Sequence, residues 1–182
     1  MSKWPDLWQT EKYITAKKQN FNIVDTYLTT PPSCILDIGC GYAYESMWFQ
    51  KKYNCKLYLL EGNTNNNNTR EIRYGKAEDF KFYNDTNQLL NYWQSQNMQF
   101  TFVDGNNPII DDDVIFDVVY SFLSCGFHYP ADTYKDLIQK HTNANSKIIM
   151  DIRKVKKQNI EIIEVIKKEA KSQKAVIKFI AQ

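Results

Sequence analysis

The sequence predicts a single α/β domain built on a doubly wound, mostly parallel sheet. Short apolar runs typical of buried strands alternate with segments of helical spacing along the 182 residues. One strand–helix–strand unit is complete within roughly thirty residues, the size expected for parallel strands joined by a helix. Because no internal repeat or linker interrupts the pattern, residues 1–182 are interpreted as one domain.

The first half begins with a predicted helical cap over residues 1–30. Ile14, Phe21, Val24 and Leu28 fall near helical spacing, and the prolines at 31 and 32 end the segment. We then predict a strand over Cys34–Ile38, a helix over Tyr42–Tyr53 and a second strand over Lys56–Leu60. Residues 62–97 form an enlarged connection after this strand, with a helix around Leu89, Leu90 and Trp93.

The second half contains four more predicted strands, for a total of six. They cover Phe100–Val103, Ile115–Tyr120, Lys147–Met150 and Ala175–Ile180. A helix is expected to begin at Pro130, because Tyr134, Leu137, Ile138 and His141 share one face. Another helix is predicted over 160–170, where Ile160, Ile163, Ile166 and Ala170 also share a face.

The composition excludes several classes of protein. No apolar run approaches the roughly 18 residues that span a bilayer, and the N-terminus has no apolar signal region. Four cysteines without C-x-x-C spacing and two histidines fit neither a disulfide scaffold nor a zinc module, so a cytoplasmic setting is expected.

The net charge of +2 is unevenly distributed. Residues 1–145 carry 13 Lys and Arg against 17 Asp and Glu, or −4, whereas residues 146–182 carry 10 against 4, or +6. A basic end can steer a polyanion, but the solvated lysine face of a C-terminal helix explains the same charge.

Three polar features follow predicted strands. They are Asp37-Ile38-Gly39-Cys40-Gly41, Glu61 and Asp104. The carboxyl ends of parallel strands meet at one edge, where ligands of such sheets bind. Glycines allow close backbone approach, and carboxylates accept hydrogen bonds from ribose hydroxyls or an adenine amino group. An adenosine-containing ligand is therefore predicted at this edge.

The ligand is expected to lack phosphates. A dinucleotide fingerprint needs a third glycine where this chain has Tyr44, and no P-loop pattern occurs. Residues 35–43, Ile-Leu-Asp-Ile-Gly-Cys-Gly-Tyr-Ala, resemble the first motif of class I S-adenosylmethionine-dependent methyltransferases. Glu61 matches the acidic second motif, and residues 116–121, Phe-Asp-Val-Val-Tyr-Ser, resemble the fourth-strand motif.

The resemblance implies S-adenosylmethionine as cofactor and assigns roles to individual residues. Asp37, Gly39 and Gly41 would hold its methionine part, and Glu61 would hold the ribose. Asp104 and Gly105 would bind the adenine, although residues 77–80, Ala-Glu-Asp-Phe, also resemble the adenine-site motif. Ser121, at the end of the fourth-strand motif, is grouped with these cofactor-binding residues. Each carboxylate also has a structural alternative as a turn cap or a solvated strand end.

The segment after the fourth strand is where the resemblance places the methyl acceptor. His128 is a candidate base or substrate ligand and Tyr129 a weaker one, with packing or capping as the alternative for both. The motifs of enzymes that methylate DNA bases are missing here, and Cys125 is better interpreted as a structural thiol. Two groups of aromatic residues have two interpretations each, substrate binding or packing. The first would form a lid and contains Trp4, Trp8 and Tyr13. The second would form a stacking surface and contains Phe80, Phe82, Tyr83, Tyr92 and Trp93.

The predicted function is methyl transfer from S-adenosylmethionine to an oxygen or nitrogen of a small molecule, with no membrane partner. One alternative is a nucleic-acid or protein methyltransferase that uses the basic C-terminal surface, which is not favoured. Another is a cofactor-binding partner protein without catalysis. The family's sheet has seven strands and six are predicted here, so either one C-terminal strand is absent or a strand lies hidden elsewhere in the chain. A homodimer or residues 62–97 would cover the open edge that an absent strand leaves.

Overall fold

The computed structural model describes residues 8–62, 84–154 and 158–180. The helices are α1 (Glu11–Tyr27), α2 (Tyr44–Tyr53), α3 (Thr86–Ser95) and α4 (Lys135–Lys140), with a 3-10 turn over Ala131–Tyr134 before α4. The strands are β1 (Cys34–Ile38), β2 (Lys56–Glu61), β3 (Thr101–Asp104), β4 (Val118–Ser121), β5 (Lys147–Arg153), β6 (Ile160–Lys168) and β7 (Ser172–Phe179).

All seven strands form one sheet in the order β3-β2-β1-β4-β5-β7-β6. The strands from β1 to β5 are parallel, and β7 runs antiparallel to both β5 and β6. The chain order therefore reverses between β1 and β4, which is where a doubly wound sheet opens a crevice for ligands. The predicted fold class, a doubly wound and mostly parallel sheet, is confirmed.

Helices cover both faces of the sheet. On one face, α1, α2 and α3 pack over a core that includes Phe21, Phe49, Leu59, Trp93 and Tyr120. On the other face, the 3-10 turn and α4 cover a second core with Leu36, Val119, Tyr134, Ile138 and Met150. No helix in the described ranges is long and apolar enough to cross a membrane.

The helix predicted over 160–170 is wrong, because this segment is strand β6. Five of its first seven residues are β-branched, a composition that favours strands over helices. The pairing of β6 with β7 skips Ile163 and Ile166, so each is an extra residue in a bulge. These bulges interrupt the two-residue alternation and leave isoleucines three apart, which imitates helical spacing.

The same hairpin corrects two further expectations. The sheet has seven strands, so its last strand is not missing. In its described residues, the basic C-terminal region forms β5 and the β6–β7 hairpin, without a lysine-faced helix. The predicted cap contains α1, and the segment 62–97 contains α3, while residues 63–83 lie outside the described residues. Trp4 and the aromatic residues 80, 82 and 83 also lie outside them.

Candidate functional site

The turn after β1 is held tightly against β2 and against the loop after β4. Gly39 has φ +69°, and its N–H donates to the Leu60 carbonyl oxygen at 2.8 Å. A Cβ on Gly39 would lie 1.8 Å from Ser124 Oγ, so glycine is required there both by conformation and by space. Gly41 has φ +51°, but a Cβ at that position would meet no described atom within 4 Å.

Asp37 lies in β1 directly below this turn, with only 4% of its surface exposed. Its Oδ2 accepts hydrogen bonds from Ser46 Oγ at 2.8 Å and from the Tyr120 hydroxyl at 3.0 Å. Within the described part of the chain, Oδ1 receives no donor. Burial and the nearby negative charge of Glu45 raise the pKa of Asp37 to about 7. A buried carboxylate with one unpaired oxygen is a strong acceptor for a cationic ligand group.

Glu61 ends β2 and is as buried as Asp37. Its Oε2 accepts from the Gly41 N–H at 2.9 Å, and its Oε1 accepts from the Gly62 N–H at 3.2 Å. Burial raises the pKa of Glu61, while these N–H groups and the Asn84 side chain oppose the rise. The carboxylate therefore fixes the conformation of the glycine turn.

Asp104 and Gly105 lie beside Glu61 at the end of β3. Asp104 pairs with Glu61 in the register of β2 and β3, and the Gly105 N–H donates to the Glu61 carbonyl oxygen at 3.0 Å. The Asp104 carboxylate is exposed and accepts from the N–H and the side-chain amide of Asn106. Tyr134 donates its hydroxyl to the Gly105 carbonyl at 2.9 Å. The three acidic residues predicted from the sequence thus end neighbouring strands at one edge.

Ser121 is placed differently from the other predicted cofactor-binding residues. Its side chain is fully buried, donates to the Ile38 carbonyl at 2.8 Å and accepts from the Cys125 N–H at 2.9 Å. Both bonds tie the end of β1 to the loop after β4. The structure therefore shows Ser121 supporting the glycine turn from below.

The two predicted catalytic residues lie in the loop between β4 and the 3-10 turn. Tyr129 is 3% exposed, its hydroxyl contacts Ser124 Oγ at 2.8 Å, and burial raises its pKa well above the usual range. His128 is half-buried, and both burial and the charge of Arg153 lower its pKa. At neutral pH, His128 is thus an uncharged imidazole and Tyr129 a protonated phenol.

Aromatic side chains surround the outer side of the glycine turn. Trp8 packs edge-on against Tyr42, and Tyr13 packs in the same way against Tyr44, with ring centroids 6.1 and 6.3 Å apart. Tyr92 contacts Tyr42 at 4.7 Å. Trp93 is fully buried and donates its indole N–H to the Gly41 carbonyl at 3.2 Å, so it packs in the core.

A buried ion pair near Asp37 is not predicted from the sequence. Lys17 Nζ of α1 lies 3.1 Å from Glu45 Oε1 of α2, with side-chain exposures of 10% and 2%. The pattern that could have revealed it is helical spacing, because Lys17 is three residues after Ile14 and four before Phe21. A lysine on the apolar face of a helix requires a buried partner.

No protein-family model and no curated protein sequence matches this chain. Solved structures do match. A methyltransferase from Pyrococcus furiosus is 16% identical, with 90% of this chain and 82% of that chain covered and a TM-score of 0.57. The ribosomal protein L11 methylase from Lactobacillus delbrueckii subsp. bulgaricus is 12% identical, with coverages of 90% and 79% and a TM-score of 0.54.

A third match is the plantazolicin methyltransferase BpumL, solved with a triazolic desmethylPZN analog and SAH. It is 18% identical over 81% of this chain, with a TM-score of 0.50. This chain spans only about half the length of the BpumL structures, 50% in this case. The strand order, with an antiparallel β7 between β5 and β6, agrees with these structural matches. The chain therefore has the fold of class I S-adenosylmethionine-dependent methyltransferases.

Proposed function

We propose that this protein transfers a methyl group from S-adenosylmethionine to an oxygen or nitrogen of a small molecule. The observation that carries the proposal is the edge formed by β1 and β2. There a buried carboxylate oxygen of Asp37 has no described donor, and the space beside Gly41 is open. Solved structures of the same fold, such as BpumL, contain SAH.

The residues at this edge fit such a ligand. Asp37 Oδ1 offers a buried acceptor for an ammonium group, and the missing Cβ at Gly41 leaves room for close approach to the backbone. Glu61 uses part of its acceptor capacity on N–H groups of the turn, and a carboxylate accepts about four hydrogen bonds in all. Asp104, exposed at the neighbouring strand end, is the acceptor proposed for the adenine amino group, with Gly105 beside it.

S-adenosylmethionine, when bound, supplies a methyl group on a sulfonium that a nucleophile attacks in line. In our proposal the chain contributes binding, orientation and proton removal. Asp37 and Glu61 hold the ligand from the floor of the crevice, and the loop after β4 carries the groups that face the acceptor. His128 is the proposed base, because its lowered pKa leaves the imidazole able to take a proton at neutral pH.

Calorimetry with a matched pair of variants tests the proposal. The wild-type protein is expected to bind S-adenosylmethionine and S-adenosylhomocysteine but not NAD. Glu61→Gln removes the charge that strengthens hydrogen bonds to the ligand, each worth about 1.5–3 kcal/mol, so affinity should fall about tenfold to a hundredfold. Asp113→Asn, which removes an exposed carboxylate in the β3–β4 connection, is the control and should leave affinity unchanged.

Tight NAD binding, or equal affinities of the Glu61 variant and wild type, would contradict the proposal. The acceptor class is tested by release of S-adenosylhomocysteine in the presence of small alcohols, phenols and amines, or of oligonucleotides and basic peptides. Turnover with the first group supports the proposal. Turnover only with oligonucleotides, falling steeply as salt rises, would instead support the alternative in which the basic C-terminal hairpin binds a polyanion.

A further inference from the structure

The buried pair of Lys17 and Glu45 lies where it controls the charge next to the proposed ligand site. Lys17 belongs to the apolar face of α1 and is 8% exposed, about one and two turns before Phe21 and Val24, which are buried in the core. A charged side chain in such surroundings is stable only with a close partner of opposite charge. The only partner within ion-pair distance among the described residues is Glu45 Oε1, at 3.1 Å.

Glu45 receives its neutralising contacts from α1. Lys17 Nζ and Asn20 Nδ2 both lie 3.1 Å from the same oxygen, Glu45 Oε1. The next residue of α2, Ser46, donates its hydroxyl to Asp37 Oδ2. Two adjacent residues of α2 therefore link the N-terminal helix to the floor of the crevice, because Glu45 contacts α1 and Ser46 contacts Asp37.

Six groups face Asp37 among the described residues, and few of them carry charge near neutral pH. The six are Tyr13 and Lys17 from α1, Glu45 and Ser46 from α2, Tyr120 from β4 and Cys40 from the glycine turn. Cys40 also faces Glu61 of β2. Burial raises the pKa values of Tyr13, Cys40 and Tyr120, so these groups are neutral. Glu45 disfavours the ionised form of Asp37, and Lys17 favours it.

We propose that Lys17 is a positioning residue that acts through Glu45 and keeps Asp37 ionised for the ammonium group of the bound ligand. The position of α1 against the sheet is thereby coupled to ligand affinity. The inference rests on the proposed function, because it assigns that ammonium to Asp37. Without Lys17, the buried carboxylates of Asp37 and Glu45, which disfavour each other's charge, would lose the cation that offsets this repulsion. Asp37 would then hold its proton at neutral pH and lose its attraction for the ligand.

Two probes separate this role from simple packing. S-adenosylhomocysteine carries an ammonium group, whereas 5′-methylthioadenosine has the same nucleoside without the amino acid. In the wild type, affinity for S-adenosylhomocysteine should rise as pH increases through about 7, the pKa of Asp37. Affinity for 5′-methylthioadenosine should be constant over the same range, since it presents no cation to Asp37.

Variants at the pair sharpen the test. Lys17→Met, of similar length, should move the midpoint for S-adenosylhomocysteine upward by about one pH unit and weaken binding about fivefold at pH 7. Lys17→Arg keeps the charge and should preserve the wild-type midpoint. The double variant Lys17→Met, Glu45→Gln removes both charges and should return the midpoint to the wild-type value or below it.

The outcomes distinguish this proposal from the proposed function. Equal weakening of both probes by Lys17→Met, with no recovery in the double variant, would show a packing role and overturn the proposal alone. Binding of S-adenosylhomocysteine by the wild type with no dependence on pH would do the same. A wild-type protein that binds neither probe would contradict the proposed function, and this inference with it.

Discussion

Two buried carboxylates of the sheet, Asp151 and Asp37, use their oxygens differently in the described part of the chain. At the end of β5, Asp151 Oδ1 lies 2.6 Å from Lys174 Nζ, and Oδ2 accepts from the Leu123 N–H at 3.1 Å. Lys174 also lies 3.9 Å from the centre of the Phe122 ring. Both oxygens of Asp151 are used. Asp37, by contrast, receives both of its donors on one oxygen.

The difference separates a structural clamp from a binding site. The pair of Asp151 and Lys174 holds the loop after β4 in place, because the Asp151 carboxylate accepts a hydrogen bond from the N–H of Leu123. Leu123 has a φ of +57°. Each oxygen of that carboxylate already has a partner. Asp37 is also buried, but its Oδ1 has no donor among the described residues. A buried polar group with unused capacity marks the functional end of this sheet edge.

The largest expected effect comes from breaking the closed pair. Lys174→Met leaves Asp151 buried without a cation, which should lower the free energy of unfolding by about 3–5 kcal/mol. Lys174→Met with Asp151→Leu removes both charges, so most of this loss should be recovered. Urea denaturation measures both, with Lys178→Met, at an exposed lysine of β7, as the matched control. A double variant as unstable as the single one would show that Lys174 stabilises the fold through its contact with Phe122.

Asp37 should behave in the opposite way when its charge is removed. Its folded-state pKa is raised from 3.8 to about 7, so between these values the folded protein keeps a proton that the unfolded chain releases. The contribution of Asp37 to stability therefore falls as pH rises from about 4 to about 7. Asp37→Asn should raise the free energy of unfolding by about 4 kcal/mol at pH 8 and by only about 2 kcal/mol at pH 5.

The same variant should lose affinity for S-adenosylhomocysteine, since an amide does not attract an ammonium group as a carboxylate does. Thermal unfolding at the two pH values and calorimetry measure both effects. Gained stability with lost binding is the pattern of a residue retained for function. A variant that is less stable at pH 8 would instead place Asp37 with Asp151 as a structural carboxylate.

The sequence predicts one of these two regions far better than the other. Asp37, the glycines and Glu61 are close in the chain and end predicted strands, so their convergence follows from the parallel sheet alone. Lys17, Asp151 and Lys174 carry no motif, and their roles depend on which strand or helix lies opposite. The pairing of Lys174 with Asp151 depends on β6, because the β6–β7 hairpin makes β7 run antiparallel to β5. The sequence predicts a helix in place of β6, because the bulges of β6 space its isoleucines three apart.

The smallest expected effect on stability compares a glycine from each region. Gly41, beside Asp37, has φ +51° and open space where a Cβ would be, whereas Gly126, beside Asp151, has φ +86° and would place a Cβ 2.9 Å from the Asp151 carbonyl oxygen. Gly41→Ala should therefore cost only the conformational strain, about 1–2 kcal/mol. Gly126→Ala adds a backbone clash and should cost more.

For ligand binding the order of the two glycine variants should reverse. The Cβ introduced at position 41 occupies the space assigned to the ligand, so Gly41→Ala should weaken S-adenosylhomocysteine binding by about tenfold or more, a cost of about 1.4 kcal/mol. Gly126→Ala should affect binding less than stability, because the clash is with β5. Urea denaturation and calorimetry on the two variants give four values. If Gly41→Ala destabilises the fold but leaves affinity unchanged, the open space at Gly41 does not hold the ligand.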